Sequence, residues 1–382
     1  MSATPSVIVP AQKKKICYID NLKVLLTVLV ILHHTFITYG APGGWYYTQK
    51  TTRAGALIPM TMFVAINQAF FMGFFFFLSA YFTGPSYDRK GAARFTADRL
   101  LRLGLPLVFY SFIFSPFLSY LVYYYAEGHH ITYWQYLSDF TGWIDFGVLW
   151  FVAALLLFTL AYIAWRVSSG KRPSPTLPVP SMGAIIAFSV FVGVISFAVR
   201  TVLPVGWVLR PLGFQPAHFS QYIAMFILGL VARRNNWLEN LPVRTGRRAL
   251  TAVILLFLFF PVLFVLKKAF DAPLEWFSGG LHWESLLYSI WEQMMGFCMV
   301  TMLLYYGRRY WDKSSALLSK MARSTFAVYI FHPVVIISVA LALTGWAVDP
   351  ALKLLVAAPL VVAGAFLLGA LIRRIPGVKK II

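Results

Sequence analysis

The chain has 382 residues, 59% of them hydrophobic and 12% charged, and its mean hydropathy is +0.72. A soluble domain carries roughly 25% charged residues, so this composition excludes a water-soluble globule. The formal charge of +20 would suit a polyanion binder, but nucleic-acid binders display such charge on a polar surface; here there is little, and no nucleic-acid partner is expected.

Apolar runs near 20 residues, enough for a helix to cross about 30 Å of hydrocarbon, occur at 20–39, 57–82, 101–125, 148–165, 183–203, 219–232, 250–266, 285–306, 325–343 and 351–372. They predict an all-α polytopic membrane helix bundle of about 10 transmembrane helices. The sixth run is short, and Pro59, Pro106 and Pro116 interrupt the second and third. The expected division is an N-terminal segment 1–19, a transmembrane domain 20–372 and a tail 373–382.

With the N-terminus in the cytoplasm, 25 of the 33 Lys and Arg fall in cytoplasmic segments. The positive-inside rule then selects an even number of spans with both termini cytoplasmic. No loop is long enough for a soluble catalytic domain, so any chemistry is expected inside the membrane part. Residues 168–180, rich in Pro and Ser, predict a flexible connector between four spans and six. No internal repeat is evident, which disfavours a transporter built from inverted halves. Cys17 and Cys298 imply neither a disulfide framework nor a metal site. Lys13–Lys15 before an apolar run resembles a signal peptide, but no A-x-A-like site follows, and a retained first helix is expected.

Polar side chains at membrane depth are costly and usually face the bundle interior or a water-filled cavity. At about 100° per residue, Asp20, Lys23, Thr27 and His34 share one face of the first span, while His33 points about 100° away. That stripe climbs about 21 Å along the axis and predicts a lined cavity. The alternative makes Asp20 and Lys23 interfacial side chains and His34 a hydrogen-bonded bundle histidine. His34 is the acid–base candidate, since neutral imidazole accepts a proton near pH 7. Asp20 is a second catalytic candidate, and Lys23 suits phosphate or another anion.

Arg99 and Arg102, at i and i+3, predict two guanidinium groups on one side of a helix start, either as a fork for phosphate or as a cytoplasmic anchor. Glu292, a carboxylate within a span, and His332, just before Pro333, are the remaining catalytic candidates. Their structural alternatives are a helix–helix contact and the polar patch of a proline kink. Phe74–Phe77 reads as lipid-facing or packing surface. Aromatic residues of the outer loops, among them Trp45, Tyr46 and Trp134, suit sugar stacking or, more simply, an interfacial belt. The sequence contains no H-x4-D pair, G-x-S-x-G elbow, Walker A loop or D-x-D pair.

Several pieces in order carry a resemblance. They are Lys23 followed after ten residues by His34, then Phe76-Phe77-Leu78-Ser79-Ala80-Tyr81-Phe82, Arg99-x-x-Arg102-Leu-Gly-Leu-Pro106, Leu149-Trp150-Phe151 and Tyr329-Ile-Phe-His332-Pro333. Together they resemble the acyltransferase-3 family of bacterial integral membrane proteins. The resemblance implies transfer of an acetyl or succinyl group, in the inner membrane, from cytoplasmic acyl-CoA (acetyl-CoA or succinyl-CoA) to a hydroxyl of an extracytoplasmic glycan or related envelope acceptor. No permanently bound cofactor is implied. It puts His34 at the reaction centre and Lys23, Arg99 and Arg102 near the CoA donor. Two positions depart from the family pattern: Lys23 stands where arginine is frequent, and Ser79-Ala80 where Ser-Gly is frequent. Many relatives carry a fused esterase-like domain, which is not expected here. The rival expectations are a transporter or flippase, and a silent scaffold of a glycan-assembly complex.

Overall fold

The computed structural model describes residues 16–169 and 176–382, and among these no β-strand occurs. In chain order the main helices are α1 (Cys17–Tyr39), α2 (Ala54–Gln68), α3 (Phe71–Lys90), α4 (Ala92–Tyr125), α5 (Trp150–Ser169) and α6 (Met182–Arg200). They are followed by α7 (Phe219–Arg234), α8 (Val243–Ala269), α9 (Trp283–Tyr310), α10 (Ala316–Ala342) and α11 (Pro350–Ile372). With α2 and α3 counted as one interrupted stretch, nine among the described residues are long and apolar enough to cross a membrane. The sixth predicted span, α7, has 16 residues, about 24 Å of helix, and falls below that length.

Proline explains the irregular backbone of α4. A proline ring clashes with the carbonyl four residues earlier, which here belongs to Arg102 for Pro106 and Phe112 for Pro116. Both carbonyls lie in π-helical turns, Leu100–Gly104 and Tyr110–Phe114, where the widened coil makes room. The break between α2 and α3 frees the Ala69 carbonyl, which accepts from Gln221 Nε2 at 2.8 Å.

The spans before the predicted connector and those after it pack into one bundle. Helix α1 packs on α10 and α11, α3 runs along α7, and α6 lies against α9, so helices from both ends of the sequence interleave. Residues 170–175 of the predicted connector, and Lys13–Lys15, lie outside the described residues. Within the described part of the predicted connector, Leu177 N–H donates to Asn235 Oδ1 (2.8 Å) and its carbonyl accepts from Trp237 Nε1 (2.9 Å), so the chain is tied down there. Phe74, Phe76 and Phe77 are buried, so that run is packing surface and not a lipid face.

Two glycines set the closest helix contacts. A Cβ on Gly229 of α7 would stand 2.3 Å from the Phe77 carbonyl oxygen and 2.8 Å from Ala80 Cβ. The Ser79-Ala80 departure is thereby answered on the opposing helix, where Gly229 supplies the missing room. A Cβ on Gly296 of α9 would stand 2.3 Å from the Ala69 carbonyl oxygen, so α9 reaches the α2–α3 break only because it carries no side chain there.

Gly229→Ala is expected to destabilise the protein by about 1–3 kcal/mol, the usual cost of overpacking. Gly104→Ala, with nothing within 4 Å of the added carbon, should leave the melting temperature in detergent unchanged, and comparing the two melts checks the assignment.

Candidate active site

Helix α1 stops at Gly40, whose φ of +139° lies in the left-handed region that glycine adopts without strain. The chain then folds back over the end of α1 and lays Trp45 on His34, with ring centroids 4.0 Å apart and planes 20° apart. Tyr46 braces this loop through a 2.7 Å hydroxyl pair with Tyr110. Burial, reinforced by the Asp145 carboxylate, pushes the Tyr46 phenol above its ordinary pKa, so it serves as a neutral hydrogen-bonding group.

The third ring comes from α10. Pro333 has no N–H to give the carbonyl of Tyr329, and His332 Nδ1 takes that place at 2.8 Å. A carbonyl only accepts, so the proton sits on Nδ1 and Nε2 keeps a lone pair. The His332 ring lies 5.4 Å from His34 and 6.0 Å from Trp45, nearly parallel to both. In this cluster His34 Nδ1, His332 Nε2 and Trp45 Nε1 are buried without a hydrogen-bond partner among the described residues. Native interiors rarely leave such atoms unsatisfied, and three in one cluster of rings make this the candidate site.

His34 lines a cavity of about 640 Å³ together with His33, Gln68, His218, Tyr222 and Tyr288. Exposed loop residues Pro42, Gly43, Gly206 and Val208 form its mouth, so it opens at the end of the bundle where α1 finishes. His33 is held by Asn67, whose Nδ2 lies 3.3 Å from its Nδ1, and by stacking on Phe71 at 5.0 Å. The expectation that His33 turns away from the site is therefore corrected: the cavity is wide enough to reach both neighbouring faces of α1.

A buried polar network stands behind His218. Arg200 and Glu292, both at most 1% exposed, form an ion pair between α6 and α9. Arg200 also donates to Ser289 Oγ (3.0 Å) and the Ala217 carbonyl (3.2 Å), and Gln293 Nε2 donates to Glu292 Oε2 (3.2 Å). His218 Nδ1 lies 3.3 Å from Glu292 Oε1. Two opposite charges taken out of water together persist where further hydrogen bonds complete them.

The sequence-predicted residues divide accordingly. His34 and His332 are brought together. Glu292 does not line the cavity; it reaches it through His218, so its expected catalytic place is corrected to an ion-pair partner of Arg200. Lower on the α1 stripe the polar groups are engaged with one another and buried or half-buried outside the cavity: the Thr27 hydroxyl donates to its own helix, to Lys23 C=O at 2.8 Å, and Lys23 Nζ lies 3.4 Å from Asp20 Oδ1 and over the Phe82 ring. The lined cavity expected along the whole stripe is thus confined to its outer half, and Asp20, about 21 Å below His34 along the axis, stands apart from that chemistry. Arg99 and Arg102 do not act as one fork. Arg102 is exposed and engages Asp98 at 3.4 Å, while Arg99 lies over the Phe95 ring at 4.7 Å, because the π turn starting at Leu100 breaks the i, i+3 register.

Sequence reasoning missed Trp45, His33, Arg200 and His218 as members of the site. Arg200 carried a usable signal, since a span carboxylate such as Glu292 needs a cation and Arg200 ends a neighbouring apolar run. His218 carried none.

The acyltransferase domain model of the acyltransferase-3 family matches residues 16–372. Similar curated proteins are named Glucans biosynthesis protein C, from Salmonella paratyphi B, Salmonella enteritidis and Salmonella choleraesuis. Each is 21% identical over 336 residues, which is 85% of this chain and 82% of the relative. No solved structure matches the chain.

Glu292→Ala strands a buried guanidinium, and breaking a buried pair from one side costs about 3–5 kcal/mol. The double replacement Arg200→Met with Glu292→Met is expected to recover most of that loss, a non-additivity that thermal melts of the purified variants in detergent would read directly.

Proposed function

The chain belongs to the acyltransferase-3 family, and from that premise we propose that it carries an acetyl or succinyl group from cytoplasmic acyl-CoA to a hydroxyl of an extracytoplasmic glucan or related envelope glycan. In this reading both termini lie in the cytoplasm and the protein sits in the inner membrane, with Lys23, Arg99 and Arg102 at the donor end and the cavity mouth facing the acceptor. The observation that carries it is His34 on the cavity wall, with its ring packed against those of Trp45 and His332 and a buried nitrogen of each of the three left without a hydrogen-bond partner among the described residues.

The chemistry follows from those atoms. A nitrogen of His34 attacks the thioester carbonyl, the C–S bond breaks, and the acyl group rests on the imidazole. Trp45 Nε1–H is the donor available to the oxygen that gains charge as the carbonyl becomes tetrahedral. His332 Nε2, kept unprotonated by the Tyr329 contact, receives the proton that His34 sheds and returns it to the departing thiolate. The acyl group then passes to a sugar hydroxyl in the cavity. From Lys23 to His34 is about 16 Å along α1, a span suited to a donor whose phosphates are separated from its sulfur by a long flexible arm.

His34→Ala should abolish transfer of labelled acetyl from acetyl-CoA to a glucose oligosaccharide, while the variant elutes from detergent as the wild type does. Acylation at the wild-type rate would overturn the reading, and displacement of an unmodified oligosaccharide across vesicles would favour a transporter instead. Lys23→Gln is expected to raise KM for acyl-CoA by roughly ten- to a hundredfold with little change in kcat, the effect of losing one charge-assisted phosphate contact of about 1.5–3 kcal/mol. Initial rates over a range of donor concentrations measure it.

A further inference from the structure

We propose that His218, held by Glu292 and Arg200, is the base that removes the proton from the acceptor hydroxyl, a role that rests on the acyl-transfer reading above. His218 ends the 3-10 turn Pro216–His218 before α7 and lines the cavity that His34 lines from α1. Its turn follows directly on Gln215 and the loop carrying Gly206 and Val208, which line the same cavity near its mouth.

Hydrogen bonding assigns the tautomer. Glu292 Oε2 already accepts from Arg200 and Gln293, whereas Oε1 has His218 Nδ1 as its one close polar contact among the described residues, at 3.3 Å. Arg200 Nη2, which has a second N–H besides the one given to Oε2, lies 3.4 Å from the same nitrogen, but the closer neighbour is the carboxylate oxygen, against which an unprotonated Nδ1 would set two lone pairs. We therefore assign the proton to Nδ1, facing the carboxylate at 3.3 Å, which leaves Nε2 as an acceptor with no hydrogen bond among the described residues. A carboxylate behind an imidazole fixes its orientation and stabilises the imidazolium that forms when it takes a proton. Arg200 keeps that carboxylate ionised by compensating its charge. An ion pair needed only to join α6 and α9 is complete without a third member, so the extension to a cavity-lining histidine calls for its own explanation.

The step balances. The hydroxyl proton passes to His218 Nε2 as the oxygen attacks the acyl carbon on His34. The new C–O ester bond forms, the C–N bond breaks with its electron pair returning to the imidazole, and the proton held by His218 ends on that released nitrogen. Glu292 and Arg200 act through His218 and are positioning residues.

The test uses the full chain in membranes, with labelled acetyl-CoA as donor and two acceptors. A glucose oligosaccharide needs a base, whereas hydroxylamine attacks an acyl group without one. His218→Ala is expected to slow transfer to the sugar by about 10²–10⁴-fold, the usual contribution of general-base catalysis, and to leave transfer to hydroxylamine within about threefold of wild type. His218→Gln retains a donor for Glu292 Oε1 and should show the same split, which separates loss of the base from loss of the fold. Undiminished sugar transfer in His218→Ala, or equal loss of both reactions in His218→Gln eluting as folded protein, would overturn the proposal. Failure of the underlying reading shows separately, as His34→Ala retaining both reactions or wild type performing neither.

Discussion

A charged group or an N–H placed between these helices has no water to turn to, and much of the molecule follows from how each such group is matched. Arg200 and Glu292 match each other, with Ser289, Gln293 and the Ala217 carbonyl completing their hydrogen bonds. That network joins α6, α9 and the turn before α7, and so holds one wall of the cavity. Where α1, α10 and the loop after α1 meet, the matching is left incomplete: buried nitrogens of His34, His332 and Trp45 have no partner among the described residues, and His34 is the one of these three side chains that lines the cavity. A soluble protein would fill such gaps with solvent; in a bilayer the cost of leaving them falls on the fold.

The space for this arrangement comes from interruptions in regular helix. Pro333 denies the Tyr329 carbonyl its helical donor, and that single loss both positions His332 and chooses its tautomer. The break after α2 exposes the Ala69 carbonyl, which Gln221 covers while Gly296 lets α9 approach. Pro106 and Pro116 bend α4 through two π turns instead of ending it. Irregular backbone at membrane depth is tolerated where protein covers it or a cavity borders it, and both situations occur here.

Fold and site were legible in the sequence to different depths. The apolar runs marked the long helices, because hydropathy over twenty residues is a local property and the bilayer demands little else. His34 and His332 could be singled out individually because a polar residue in an apolar run is conspicuous. Their stacking could not, since they come from helices separated by most of the chain and meet only where α1 packs on α10. Helical periodicity placed Lys23, Thr27 and His34 on one face, yet only the neighbours of that face show that Lys23 lies over Phe82 and that Thr27 turns back to α1's own carbonyl, outside the cavity that His34 lines. The i, i+3 pairing of Arg99 and Arg102 failed for a local reason, the π turn that Pro106 induces.

By itself, then, the sequence determined that this is a helical membrane protein and singled out a few polar residues inside it as candidates for its chemistry, because both readings depend on composition and short-range pattern. Which of those residues share a site was decided only by tertiary structure. Trp45 reads in the sequence as one aromatic among many at an interface, and His218 as an isolated histidine before an apolar run. Their places beside His34 and Glu292 are set by a loop folding back over α1 and by α6 packing on α9, contacts between distant segments that no local pattern encodes.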